Sequence, residues 1–196
     1  MNKVVSTVNK SVWIFLMGFL IAAADPRPLP ESSLYQLSSR WATDDGREIG
    51  LSDLAGKVRL ITLFFGHCEA SCPMALGRLK SLEAGLPKGW EKGAGMVLVT
   101  LDPGRDDSGS LAAFRRRMDL GRDGWILLRG GPEDTRELAM ALGVAYRPSS
   151  GNGGIEHNSV LALLDGEGTI LQRYEGADPG PEFMEAMRKA MAGAAR

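Results

Sequence analysis

Cysteine and histidine are both scarce in this chain, at two each among 196 residues, and the surplus of charge is a single negative unit. Two cysteines cannot build a disulfide scaffold. With 23 basic and 24 acidic residues there is no basic excess to attract nucleic acid. A long hydrophobic run is lacking too: the apolar stretch from Val12 to Ile21, even continued through Ala24, falls short of the roughly 20 residues that span a bilayer as a helix. No internal repeat or low-complexity segment is present.

What the N-terminus does contain is Lys3 and Lys10, then that apolar run, then Ala22, Ala23 and Ala24, the three zones of a secretory signal peptide. Cleavage after Ala24 is the expectation, with a retained anchor as the alternative and the only route to a membrane. No cysteine stands near Ala24 to take a lipid. Loss of residues 1–24 takes two lysines with it, so 21 basic residues face 24 acidic ones and the exported chain carries −3. Residues 25–33 contain three prolines and read as a linker. Residues 34–196 then form one domain.

Alternation from Leu34 to Trp41, the turn residues Asp44-Asp45-Gly46 and the resumption at Glu48 predict an N-terminal β-hairpin. Val58 to Phe65 is nearly all apolar and β-branched, as a strand buried on both faces is. Leu76, Leu79, Leu82 and Leu86 follow at helical spacing behind Pro73. Further strands are predicted over Met96–Leu101 and Trp125–Leu128. Helices are predicted around Leu111, Phe114 and Met118 and from Pro132 to Gly143. A second hairpin turns at Asp165–Gly168, and Pro181–Ala194 closes the chain as an amphipathic helix. The order places a mixed sheet between helices, an α/β arrangement of thioredoxin-like topology. Ser149–Gly154 reads as an exposed loop leading to the strand that carries His157.

The two cysteines, Cys68 and Cys72, lie four apart where the buried strand becomes a helix. A disulfide there closes a very small loop and adds little stability, so exchange chemistry or metal capture suits the pair better than a structural staple. Backbone N–H groups and the helix dipole favour thiolate at that junction, Cys72 before Pro73 gaining most. Two thiolates suit a soft ion such as copper(I), which wants a third ligand. His157 is the candidate, as a neutral imidazole. From spacing alone a loop histidine at a strand end is an equal reading. His67 is expected to point away from the sulfurs of its neighbour. Met74, Met96, Met118, Met140, Met184 and Met187 also bear copper-binding sulfur, but most fall at core positions and are read as packing. Asp102, Arg105 and Asp106 are placed either to cap the next helix or to orient the site, and capping is the favoured reading.

Three blocks make the chain resemble the SCO/SenC family of copper chaperones: Phe65-Gly66-His67-Cys68-Glu69-Ala70-Ser71-Cys72-Pro73, Val99-Thr100-Leu101-Asp102-Pro103-Gly104-Arg105-Asp106, and Glu156-His157-Asn158-Ser159 followed by a strand and Asp165-Gly166-Glu167-Gly168. The resemblance covers nearly the whole exported domain. It implies a thioredoxin-like fold that binds one copper ion, Cu(I) or Cu(II), through Cys68, Cys72 and His157 in the periplasm. It also implies a client, the apo copper protein cytochrome c oxidase subunit II or another exported copper enzyme. Two residues depart from the pattern: Glu69 stands where proline is usual, and Glu156 where aspartate is common. A carboxylate at Glu69 adds negative charge beside the thiolates. The competing reading is a thiol–disulfide oxidoreductase reducing client cysteines through Cys68 and Cys72. Ile155–Val160 lacks the proline that such enzymes usually place beside the active-site cysteines. A peroxidase reading is weaker, because no threonine and arginine flank Cys68 as activators.

Overall fold

Seven strands form the main sheet among the described residues of a computed structural model. The description covers residues 28–66, 71–150, 154–176 and 179–194, with backbone only for 71–75. In chain order the elements are β1 (Arg40–Thr43), β2 (Glu48–Gly50), β3 (Val58–Phe64), α1 (Ser71–Ala84), β4 (Ala94–Thr100), α2 (Ser108–Arg117), β5 (Trp125–Arg129), α3 (Pro132–Leu142), β6 (Tyr146–Pro148), β7 (Ile155–His157), β8 (Val160–Leu164), β9 (Ile170–Glu175) and α4 (Gly180–Ala194). The fold is mixed α/β with a thioredoxin-like central sheet between helices, as the element order in the sequence predicts.

The strand order is β2-β1-β5-β4-β3-β8-β9, in which β3, β4 and β5 run parallel and β8 and β1 flank them antiparallel. The alternation of β3 explains its apolar run. Val58, Leu60 and Phe64 face a core shared with Leu76, Leu79 and Leu82 of α1, Phe114 of α2 and Phe183 of α4. Ile61 and Leu63 face a second core with Leu138 and Leu142 of α3 and with Trp41 of β1. A strand clothed on both sides has no polar face to display.

Pro132 opens α3 in its first turn, and Gly143 closes it at φ 76°, a left-handed conformation that suits glycine. The predicted first hairpin is β1–β2, turning through Gly46, but its first half is not strand. Leu34–Gln36 is a 3-10 turn, with the Ser33 hydroxyl accepting from the Tyr35 N–H at 3.1 Å. Leu34 and Tyr35 are both buried, so the apparent alternation there came from a short turn docking on the sheet.

Arg115 and Asp44 form a buried bidentate ion pair, Nε to Oδ2 at 2.6 Å and Nη2 to Oδ1 at 2.7 Å, that ties α2 to the β1–β2 turn. β6 and β7 stand apart as a two-stranded antiparallel ribbon outside the main sheet. His157 therefore ends a separate short strand, three residues before the apolar strand β8 begins, rather than starting β8.

Candidate metal centre

β3 delivers the chain to the thiols, and the peptide just past its end is held from three sides. Leu101 N–H donates to the Phe64 carbonyl at 2.8 Å, which extends the β3–β4 register past the last strand residue. Phe65 is buried, with the Arg105 guanidinium carbon 5.0 Å from its ring centroid. The Gly66 N–H donates to Asp106 Oδ2 at 3.4 Å, and Arg117 Nη2 donates to the Gly66 carbonyl at 3.2 Å. A Cβ at Gly66 would lie 2.7 Å from Asp106 Oδ1, so the close approach of that carboxylate requires glycine.

Asp106 is only 2% exposed and also accepts from the hydroxyl of Thr100, the last residue of β4. This corrects the capping role read from sequence. The cap of α2 is Asp107, whose Oδ1 accepts from Ser110 N–H at 2.7 Å while Ser110 Oγ accepts from the Asp107 N–H at 3.0 Å. The Ser110 hydroxyl, which also donates to Asp107 Oδ1 at 2.6 Å, and then the Ser110 N–H hold the Asp107 carboxyl below the usual range. Asp102 pairs with Arg105 inside the turn, and Asp106 reaches back to the strand that leads to the thiols. Forty positions separate Gly66 from Asp106, and no local pattern reports so distant a contact.

Cys72 is the second residue of α1, where N–H groups without helical partners favour an anion. Its side chain, and His67 and Cys68 entirely, lie outside the described residues. Glu69 and Ala70 do too. Of the methionines, Met96 and Met187 are buried and Met118 and Met184 pack against the core. Met140 is an exception to the packing role, being 71% exposed on α3.

His157 sits opposite Tyr146 in the ribbon and shares a ribbon face with Ile155, which packs against both cores. The other face carries Glu156, paired with Arg147 at 2.7 Å, and Arg147 pulls that carboxyl below its ordinary range. The His157 ring is half-buried, with Nδ1 2.9 Å from the Asn158 carbonyl oxygen. A carbonyl only accepts, so Nδ1 bears the hydrogen and Nε2 keeps the lone pair of the neutral ring.

The β3–β8 register sets the ribbon relative to the thiol end. Thr62 pairs with Leu161 and its hydroxyl donates to the Val160 carbonyl at 2.7 Å. Since the two strands are antiparallel, the start of β8 lies beside the end of β3. The segment carrying His157 thus enters the sheet at the end where β3 leaves for the cysteines.

A family model described as SCO1/SenC matches residues 32–192. An SCO1 protein homolog of Bacillus subtilis is 26% identical over 177 residues, 89% of this chain and 91% of that protein. A candidate copper-binding protein of Stutzerimonas stutzeri is 32% identical over 119 residues; the match spans 58% of this chain and little more than half, 57%, of that relative. Among solved structures, copper-bound ScoI of Arabidopsis thaliana superposes with a TM-score of 0.68 at 20% identity, covering 79% of this chain and 96% of that one. The last is a likeness of fold.

Proposed function

Because the chain belongs to the SCO1/SenC family, we propose that it is an exported copper carrier in which Cys68 and Cys72, as thiolates, and His157, as a neutral imidazole, hold one copper ion. The cargo passes by ligand exchange to an apo copper protein. Subunit II of cytochrome c oxidase is the first client to test. Residues 1–24 act as the export signal and place the domain in the periplasm, free or held by a retained N-terminal segment.

The observation that carries this reading is the pairing of Thr62 with Leu161, which brings the His157 segment and the end of β3 to one end of the sheet. Three further points support it. Two soft sulfurs and a borderline nitrogen make a donor set suited to copper(I). The Nδ1–H contact leaves Nε2 able to bind a metal. Finally, the Arabidopsis protein with this fold was crystallised with copper bound.

Anaerobic titration of the reduced protein tests the reading. One equivalent of copper(I) should bind, and His157→Ala should weaken it while removing the imidazole signature. Failure to bind at one equivalent, or unchanged coordination in His157→Ala, would overturn it.

The position of Cys72 in the first turn of α1 favours a second reading, thiol–disulfide exchange. The Cys68 thiolate attacks a client disulfide and forms a mixed disulfide. Cys72 then displaces the client as a dithiol, leaving a Cys68–Cys72 disulfide that an exported reductant must return to dithiol. Client reduction by the copper-free protein, with a reduction potential below the client's, would support it.

A further inference from the structure

The ribbon that presents His157 is short, and Asn158 ties it to the body through several hydrogen bonds among the described residues. Asn158 follows His157 immediately. Its Oδ1 accepts from the Ala145 N–H at 2.8 Å, and its Nδ2 donates both to the Gly143 carbonyl at 3.2 Å and to Glu175 Oε1 at 2.7 Å. Its backbone N–H donates to the Ala145 carbonyl at 3.2 Å, and its own carbonyl accepts from His157 Nδ1. Its side chain therefore joins the glycine that ends α3, the residue before β6 and the end of β9, while the backbone carbonyl of the same residue meets the imidazole.

The amide is matched to its partners atom by atom. A backbone N–H faces the oxygen, and a carbonyl and a carboxylate face the nitrogen, so its orientation is fixed by the network. Aspartate would supply the acceptor but set a second carboxylate against Glu175 and an oxygen against the Gly143 carbonyl. Alanine supplies neither. The conformation that aims the Asn158 carbonyl at Nδ1 is the one these bonds hold.

We infer that Asn158 is the positioning residue of the site: it locks the ribbon to the end of the sheet and holds His157 as the Nδ1–H tautomer with Nε2 presented to the metal. The inference deepens, and rests on, the reading of His157 as a copper ligand. Partners that orient a ligating histidine in this way typically change metal affinity 10- to 100-fold when removed.

Two measurements on the full reduced chain test it. Long-range proton–nitrogen NMR of the copper-free protein, with the ring assigned by its loss in His157→Ala, should show Nδ1–H in the parent and a mixed or Nε2–H ring in Asn158→Ala. An unchanged tautomer in Asn158→Ala overturns the inference and leaves the three-ligand reading standing. Competition with a copper(I) chelator should then show about 10- to 100-fold weaker binding for Asn158→Ala. In the His157→Ala background the same change should cost less than about twofold, because the two residues act as one unit. Losses that multiply instead mark Asn158 as a general structural residue and overturn the inference. Should Asn158→Ala fold poorly, Asn158→Asp is expected to weaken binding and Asn158→Asp combined with Glu175→Gln to recover part of it, since the glutamine amide can donate to the new carboxylate. No recovery counts against the inference. If His157→Ala leaves copper affinity unchanged, the ligand reading fails, and the copper-free NMR still decides whether Asn158 orients the ring.

Discussion

The end of β3 and the β6–β7 ribbon supply opposite halves of one proposed centre, and they are built differently. Phe64 and Phe65 are buried, Thr100 and Asp106 are nearly inaccessible, and Gly66 is gripped at both its N–H and its carbonyl. The ribbon exposes Arg147, Pro148 and Glu156 and half-buries Tyr146, Ile155 and His157. The thiol loop is therefore launched from the interior of a cooperative sheet, whereas the imidazole rides on a small attachment held by few bonds. In the proposed centre this contrast makes the nitrogen arm, rather than the end of β3, the side on which fewer bonds oppose release of the cargo. The difference between the two arms, more than the ligand list, is what the fold contributes.

That comparison breaks most visibly at Asp106. Asp106→Ala strips a buried hydroxyl and the Gly66 N–H of their acceptor and should lower stability by about 2–3 kcal/mol in urea unfolding. A loss below about 0.5 kcal/mol would show that the β3 end is not held as described.

Alkaline titration sharpens the same contrast, because the body keeps ionisable groups from water. Burial pushes the Tyr35 hydroxyl up to about 12, against a weaker opposing pull from Arg59. The folded state thus favours the neutral phenol. Its contribution is complete below the ordinary tyrosine value near 10 and is lost as pH rises from there through about 12, an effect of about 2 kcal/mol. Tyr35→Phe should flatten that part of the stability curve, and an unchanged alkaline slope would refute the assignment.

The smallest effect belongs to the ribbon's outer face. Arg147 and Glu156 are solvent-exposed, so Arg147→Ala should change stability by less than about 0.5 kcal/mol, and the change should shrink with added salt. A larger, salt-insensitive loss would mean that the ribbon is integral to the body.

Elements with a full period were legible in the sequence. The run of β3 announced a strand covered on both faces, Pro132 and Gly143 bounded α3, and the turn at Asp165–Gly168 marked the β8–β9 hairpin. The ribbon was not, because two strands of three residues, one containing Pro148, are too short to show alternation. Leu34–Gln36 misled for the opposite reason: a 3-10 turn with buried residues imitated alternation over too few positions. Contacts between distant residues escaped altogether. Asp106 reads locally as one of several acids before a helix, Asp44 as a turn residue and Asn158 as a loop residue. Their partners are Gly66, Arg115 and Glu175, which only folding brings near. Cys68 and Cys72 came from chemistry and spacing, His157 was preferred over a loop histidine on the family resemblance, and the sheet register added the shared end.

X-ray absorption on the copper(I)-loaded protein, compared with its His157→Ala variant, tests the central claim most directly. Two sulfur scatterers and one imidazole are expected in the parent, with the imidazole contribution lost in the variant. A sulfur-only spectrum identical in both proteins would contradict it.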